Sequence, residues 1–271
     1  MSLIFKEEGH KYESIDPNES IVWTSVTGLI SKFKEPFDTD AVALKSSKNK
    51  KSKWYKLDPE MIKNIWSSEN LRAVTLGSFY HNQREADLVD CDTIQREGVD
   101  LPVIPPKIID GLKYAPEQKL IPGIYPEHFM YLKSAGICGQ ADRVEVVNNT
   151  IHISDYKTNK EIKDKSYVNW EGISKKLTGP VSHIDDCNLQ HYTLQMSIYM
   201  YMMIKHNPKL KPGSMILEHV IFEKEGEDEY GYPITKYNSN GDPIVKEVVN
   251  YEVPYLKEEV VSMINWLKEN K

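Results

Sequence analysis

The stretch that most constrains this chain runs from Gly136 to Asn159, GICGQADRVEVVNNTIHISDYKTN. It reads as strand, tight turn, strand. Asn148-Asn149 suits a two-residue hairpin loop, because Asn tolerates the positive φ that such loops need. Alternation then puts Asp142, Val144 and Val146 on one face of the first strand, and Ile151, Ile153, Asp155 and Lys157 on one face of the second. The implied pairing runs from Val147 with Thr150 to Asp142 opposite Asp155. Directly opposed residues have Cβ atoms roughly 5 Å apart. Two bare carboxylates so placed repel, and a divalent cation between them removes the conflict, since Mg²⁺ and Mn²⁺ prefer hard oxygen ligands. Lys157 lies about 7 Å beyond Asp155 on the same face. Two acids and an ammonium at one spot suit phosphodiester cleavage.

The rest of the chain frames this hairpin. Residues 3–13 and 20–27 alternate as a strand pair, and TGLISKF follows as a short helix. Asp58-Pro59 starts a helix, with Asp as cap and Pro in the first turn. A second helix is expected from Thr75 as its cap. On it Gly77 and His81 stand one turn apart. They are either a packing glycine with a satisfied histidine, or a close approach with a ligand beside it. Residues 92–106 read as a loop and KIIDGLKYAPEQ as a weak helix. Glu127, on an incoming strand, is either a further metal ligand or an exposed strand glutamate. Asn188 to Ile204 is the strongest helix, and its Met and Tyr stripe includes Gln195 and Tyr199 at i, i+4. That stripe suits a core, or two groups aimed at one target. A strand over GSMILEHVIFEK, a hairpin around Asn240-Gly241 and a closing amphipathic helix complete an α/β domain with a central sheet.

Composition narrows the class. With 271 residues, 27% charged and 40% hydrophobic, the chain suits a globular protein of one large domain. Its apolar runs are too short to span a bilayer, and the first residues do not resemble a signal peptide, so a cytoplasmic setting and no membrane partner are expected. Cys91, Cys138 and Cys187 are widely spaced and indicate neither zinc site nor disulfide framework. A net charge of −6 argues against a passive nucleic-acid binder, yet leaves room for an enzyme with acidic ligands and a local basic channel. Lysines cluster at 45–56, where Lys48, Lys50, Lys51 and Lys53 are either DNA grips or a solvated face.

In order, Gly77-xxx-His81, Glu127, Gly139-xx-Asp142, Asp155-Tyr156-Lys157-Thr158 and Gln195-xxx-Tyr199 resemble the RecB-type branch of the PD-(D/E)XK nuclease superfamily. The match spans residues 77–199, and SVTGLI looks like the opening segment of phage and mitochondrial genome maintenance exonucleases. Ala141 stands where the superfamily name has proline. The resemblance implies a restriction-endonuclease-like core over 71–271, with 1–70 as an N-terminal elaboration. It implies Mg²⁺ or Mn²⁺ held by His81, Asp142, Asp155 and the Tyr156 carbonyl, with Glu127 in or beside that shell. Lys157 would orient or deprotonate the attacking water, and Gln195 and Tyr199 would steady the strand or the lysine. Three scattered cysteines exclude the four-cysteine iron–sulfur cluster of some relatives.

The resulting expectation is a DNA exonuclease on single-stranded ends or flaps, working beside replication or recombination proteins, in a host cytoplasm if phage-encoded. Its rivals are a structure-specific endonuclease on the same fold, a non-catalytic nucleic-acid-binding protein and a small-molecule metallohydrolase.

Overall fold

A computed structural model of the chain describes residues 3–6, 11–169 and 171–270. The first elements are β1 (Leu3–Lys6), β2 (Lys11–Ser14), β3 (Thr24–Ser25), α1 (Val26–Ser31), α2 (Thr39–Lys48) and α3 (Pro59–Val89). Then come β4 (Thr93–Arg96), β5 (Val99–Pro102), β6 (Lys107–Ile109), β7 (Leu112–Tyr114), β8 (Gly123–Leu132), β9 (Ile137–Val147) and β10 (Thr150–Lys157). A 3₁₀ turn at Gly179–Val181 precedes α4 (Asn188–His206), and β11 (Lys211–Phe222), β12 (Lys224–Glu227), β13 (Pro233–Thr235), β14 (Val245–Glu252) and α5 (Lys257–Glu269) close the chain. No helix among the described residues is long and apolar enough to cross a membrane.

The fold is α/β, a mixed sheet flanked by helices. Asn148 and Asn149 both take left-handed φ, 49° and 61°, and β9 pairs with β10 from Val147↔Thr150 to Arg143↔Ser154. β10 is followed by α4 and then by β11 parallel to it, a crossover unit, and β14 adds antiparallel to β11. On its other side β9 pairs antiparallel with β8 from Gly123↔Val146 to Leu132↔Ile137. β3 pairs parallel with β9 only at Ile137 and Cys138. Because β8 occupies one whole edge of β9, β3 and β10 must share the other. Between them, residues 139–142 have no strand partner on that edge. The gap coincides with the Gly139-xx-Asp142 motif.

Side-chain alternation sorts the two faces. Val144, Val146, Ile151, Ile153, Met215 and Leu217 join α1, α4 and α5 in the main core. Tyr156 and Val220 point the other way and pack with Tyr80 of α3. The Met and Tyr stripe of α4 is indeed core: Met196, Tyr199 and Met203 are buried.

Several expectations need correction. Residues 20–27 yield only the two-residue β3, and β1 pairs with β2 instead; residues 7–10 of the expected first strand lie outside the described residues. The two helices expected on either side of Thr75 are one, α3. The Thr75 hydroxyl donates to the Leu71 carbonyl 2.9 Å away, so it serves the helix interior and caps nothing. Residues 92–106 hold the hairpin β4–β5, turned at Glu97-Gly98. KIIDGLKY is the hairpin β6–β7, with Asp110 and Gly111 at φ 50° and 74°. Asp-Gly is a strong two-residue hairpin signal and outweighs the weak helical period. Asn238 to Asp242 does turn the chain, but β13 returns to β12 while β14 joins the main sheet.

Gly139 shows how tightly the gap is filled. A Cβ there would lie 2.8 Å from Tyr199 Cε1 and 3.0 Å from Val26 Cγ2. Gly139→Ala is therefore expected to cost about 1–3 kcal/mol in denaturant unfolding, as overpacking does. Gly226→Ala, where a Cβ would meet nothing within 4 Å, is the control and should change stability by less than about 0.5 kcal/mol.

Candidate metal centre

The site forms where the gap lets groups from both faces of the sheet meet. Pro126↔Arg143 and His128↔Ala141 bracket Glu127 and Asp142, which therefore stand opposite each other on β8 and β9. Glu127 has φ 45°, a left-handed conformation that costs a non-glycine residue about 1–2 kcal/mol. Such strain collects at functional sites. Here it interrupts the ladder and aims a carboxylate into the gap.

Asp142 is buried, and its Oδ2 accepts the Tyr156 N–H at 2.6 Å. The pairing expected to carry Asp142 onto Asp155 therefore stops one residue short, because a carboxylate has replaced the carbonyl acceptor. The other oxygen, Oδ1, is 3.3 Å from His81 Nδ1, and Glu127 Oε1 is 3.8 Å from the same nitrogen. His81 Nε2 lies 3.1 Å from the Tyr156 carbonyl. With Nε2–H donating there, an assigned tautomer, Nδ1 faces the two carboxylates. One ligand atom each from His81, Glu127 and Asp142 falls within 4.8 Å of the others, spacing suited to a cation.

Asp155 lies outside that trio. Alternation places it with Ile151 and Ile153 on the α4 face, where its Oδ2 forms an ion pair with Lys157 Nζ. Its Oδ1 is buried with no hydrogen-bond partner. A buried carboxylate oxygen left bare is costly, and a cation is a group that could satisfy it. Donor chemistry agrees: three carboxylates and an imidazole make the mixed O/N shell that Mg²⁺ and Mn²⁺ accept. The Tyr156 carbonyl, expected to be a ligand, already takes hydrogen bonds from His81 and, at 3.3 Å, from Lys157.

Charge is concentrated here. Burial disfavours the His81 imidazolium, but hydrogen bonds to Asp142 and then Glu127 outweigh it and hold the ring up at about 10. Burial, then the charge on Asp142, pushes Asp155 up to about 6 against the pull of Lys157. Burial also opposes the Lys157 ammonium. Asp155 and Asp142 outweigh it, so Lys157 titrates above the ordinary lysine range. Lys157 is thus held as a positive charge by its acidic neighbours and is not the loosened base that burial alone would make.

The remaining motif residues lock the arrangement. Gln195 Nε2 donates to the Tyr199 hydroxyl at 3.0 Å, and the Tyr199 ring fills the space left by Gly139. A Cβ on Gly77 would lie 3.1 Å from Thr158 Oγ1, so that glycine lets α3 approach the end of β10. Each motif glycine makes room for a residue of another motif. Sequence reasoning missed Tyr192, whose ring sits 5.0 Å below the Lys157 ammonium and whose hydroxyl donates to Asn159 Oδ1 at 2.6 Å. Its signal was its place one turn before Gln195 on the same helix.

The lysine run divides. Lys48, Lys50 and Lys51 are exposed at the end of α2 and just after it. Lys53 is a fastener: its ammonium donates to the Tyr230 carbonyl at 2.6 Å and lies 4.4 Å from both the Trp54 and Tyr232 rings.

Comparison with family models, curated proteins and solved structures found no match.

Cation binding must displace the His81 proton. At pH 7–8, titration calorimetry in buffers of different ionisation enthalpy should show about one proton released per Mn²⁺, with affinity rising as pH increases toward 10. Below pH 6, Asp155 should add to the release. Binding without proton release at pH 7 would contradict the site.

Proposed function

We propose that this chain is a metal-dependent nuclease of the PD-(D/E)XK type, cutting phosphodiester bonds in DNA. One observation carries the reading: His81, Glu127 and Asp142 converge within 4.8 Å, beside a bare buried Asp155 oxygen and the Lys157 ammonium. The motif order Gly-xxx-His, Gly-xx-Asp, Asp-Tyr-Lys-Thr and Gln-xxx-Tyr, which resembles the RecB-type branch, supports the same class. His81, Glu127, Asp142 and Asp155 hold Mg²⁺ or Mn²⁺. When bound, such an ion polarises a phosphate oxygen and lowers the pKa of water from ~15.7 toward neutral.

The chain's own residues do the rest. Lys157, paired with Asp155 and seated over Tyr192, keeps a positive charge where negative charge builds on the phosphate. It also offers N–H donors that orient the attacking water. Gln195 fixes the Tyr199 hydroxyl, and the buried ring packs against Gly139, three residues before Asp142 on β9. Asp142 in turn is aimed by the Tyr156 N–H. Single-stranded ends or flaps are the expected substrate, and replication or recombination proteins the expected partners.

End-labelled single- and double-stranded DNA with Mg²⁺, Mn²⁺ or EDTA tests the activity, and a closed single-stranded circle separates the modes. Metal-dependent loss of linear DNA with the circle intact is expected; cutting of the circle would make the enzyme an endonuclease. Lys157→Ala should lower kcat by about 10²–10³-fold while DNA binding persists. Near-wild-type cleavage by that variant would discard the role given to Lys157.

A further inference from the structure

Beside Lys157 stands a histidine that none of the sequence motifs includes. β10 and β11 pair in parallel with Lys157 opposite His219, so alternation sets both side chains on the α4 face. His219 is buried, and its Nε2 lies 2.6 Å from the Asn159 carbonyl. A carbonyl only accepts, so Nε2 carries the hydrogen and donates it. The Tyr251 ring of β14 backs the imidazole, with centroids 6.4 Å apart. Asn159 lies just past the end of β10 and makes a second link. Its Oδ1 accepts the Tyr192 hydroxyl at 2.6 Å. Asn159 therefore ties β11 to α4, through its carbonyl on one side and its amide oxygen on the other. Tyr192 closes the circuit, because its ring lies 5.0 Å from the Lys157 ammonium.

Lys157 is the last residue of β10. Strand ends fray and a lysine stem is flexible, so the ion pair with Asp155 fixes the tip but not the path to it. The Tyr192 ring supplies a wall for that path, and the Asn159 link holds its hydroxyl end. Asn159 is itself exposed, where water competes for its hydrogen bonds. The buried His219 donor anchors it to the sheet. We infer that His219 is a positioning residue for Lys157, acting through the Asn159 carbonyl and the Tyr192 hydroxyl. Its effect on the place of Lys157 stands on these contacts alone. Its effect on rate rests on the nuclease reading above, since misplacing a group by about 1 Å can cost about 100-fold.

The test compares His219→Leu, which removes the donor, with His219→Gln, whose amide N–H can replace it. Lysine carrying a carbon label at Cε reports the place of Lys157 by NMR in EDTA. The Tyr192 ring current should move its Cε–H signal upfield of the exposed lysines, and Lys157→Ala assigns that signal by its loss. In His219→Leu the signal should move toward the exposed lysines, and in His219→Gln it should return. With Mn²⁺ and single-stranded DNA, His219→Leu should lower kcat by about 10–100-fold with KM little changed. His219→Gln should regain most of that loss. A Lys157 signal unmoved in His219→Leu would overturn the inference, as would equal losses in both variants. Should His219→Leu melt early, Tyr192→Phe decides, because it keeps the ring and removes only the hydroxyl. A moved signal there supports the tether, and an unmoved one removes it. A signal that responds to His219→Leu without any cleavage by the wild type fails the nuclease reading alone. Cleavage with kcat and signal both indifferent to His219→Leu fails the positioning role alone.

Discussion

The site depends on one hydrogen bond, from the Tyr156 N–H to Asp142 Oδ2. A buried N–H donating to a carboxylate contributes about 1.5–3 kcal/mol, more than a neutral ladder bond. That bond ends the β9–β10 ladder at Arg143↔Ser154 and leaves residues 139–142 unpaired on that edge. A continuous sheet would keep its two faces separate. The gap joins them, so His81 from α3 and Asp155, Lys157 and Tyr199 from the α4 side reach a common point. The motif glycines belong to the same device: Gly139 admits the Tyr199 ring and Gly77 admits Thr158.

Electrostatics explains why such a cluster is tolerable in a chain of net charge −6. Glu127, Asp142 and Asp155 crowd together at the centre, and the fold sets a charged His81 and a charged Lys157 against them. The balance is incomplete, as the bare Asp155 Oδ1 and the left-handed Glu127 both show. Incomplete satisfaction of buried polar groups beside a strained backbone is the pattern that functional sites often show.

Much of this was legible in the sequence, for local reasons. Asn148-Asn149 dictates its own turn, and the turn fixes the register of β9 and β10. The apolar period of Asn188–His206 dictates α4. Where local signals competed, reading failed: Asp110-Gly111 made a hairpin where a weak helical period suggested a helix, and Thr75 continued a helix that it was expected to start. Glu127 reads from the sequence as either a ligand or an exposed strand residue and stands in the trio, because a left-handed glutamate is set by the ladder around it and not by its neighbours in the chain. Asp155 was expected to pair with Asp142 directly, but the ladder ends at Arg143↔Ser154, where the Asp142 carboxylate takes the Tyr156 N–H.

The central claim is that one cation completes this cluster. The most direct measurement is an anomalous difference map from crystals soaked in Mn²⁺. The account requires a peak bonded to His81, Glu127 and Asp142, with the Asp155 Oδ1 turned toward it. A map with no peak there, or with Mn²⁺ bound only at surface carboxylates elsewhere, would contradict it.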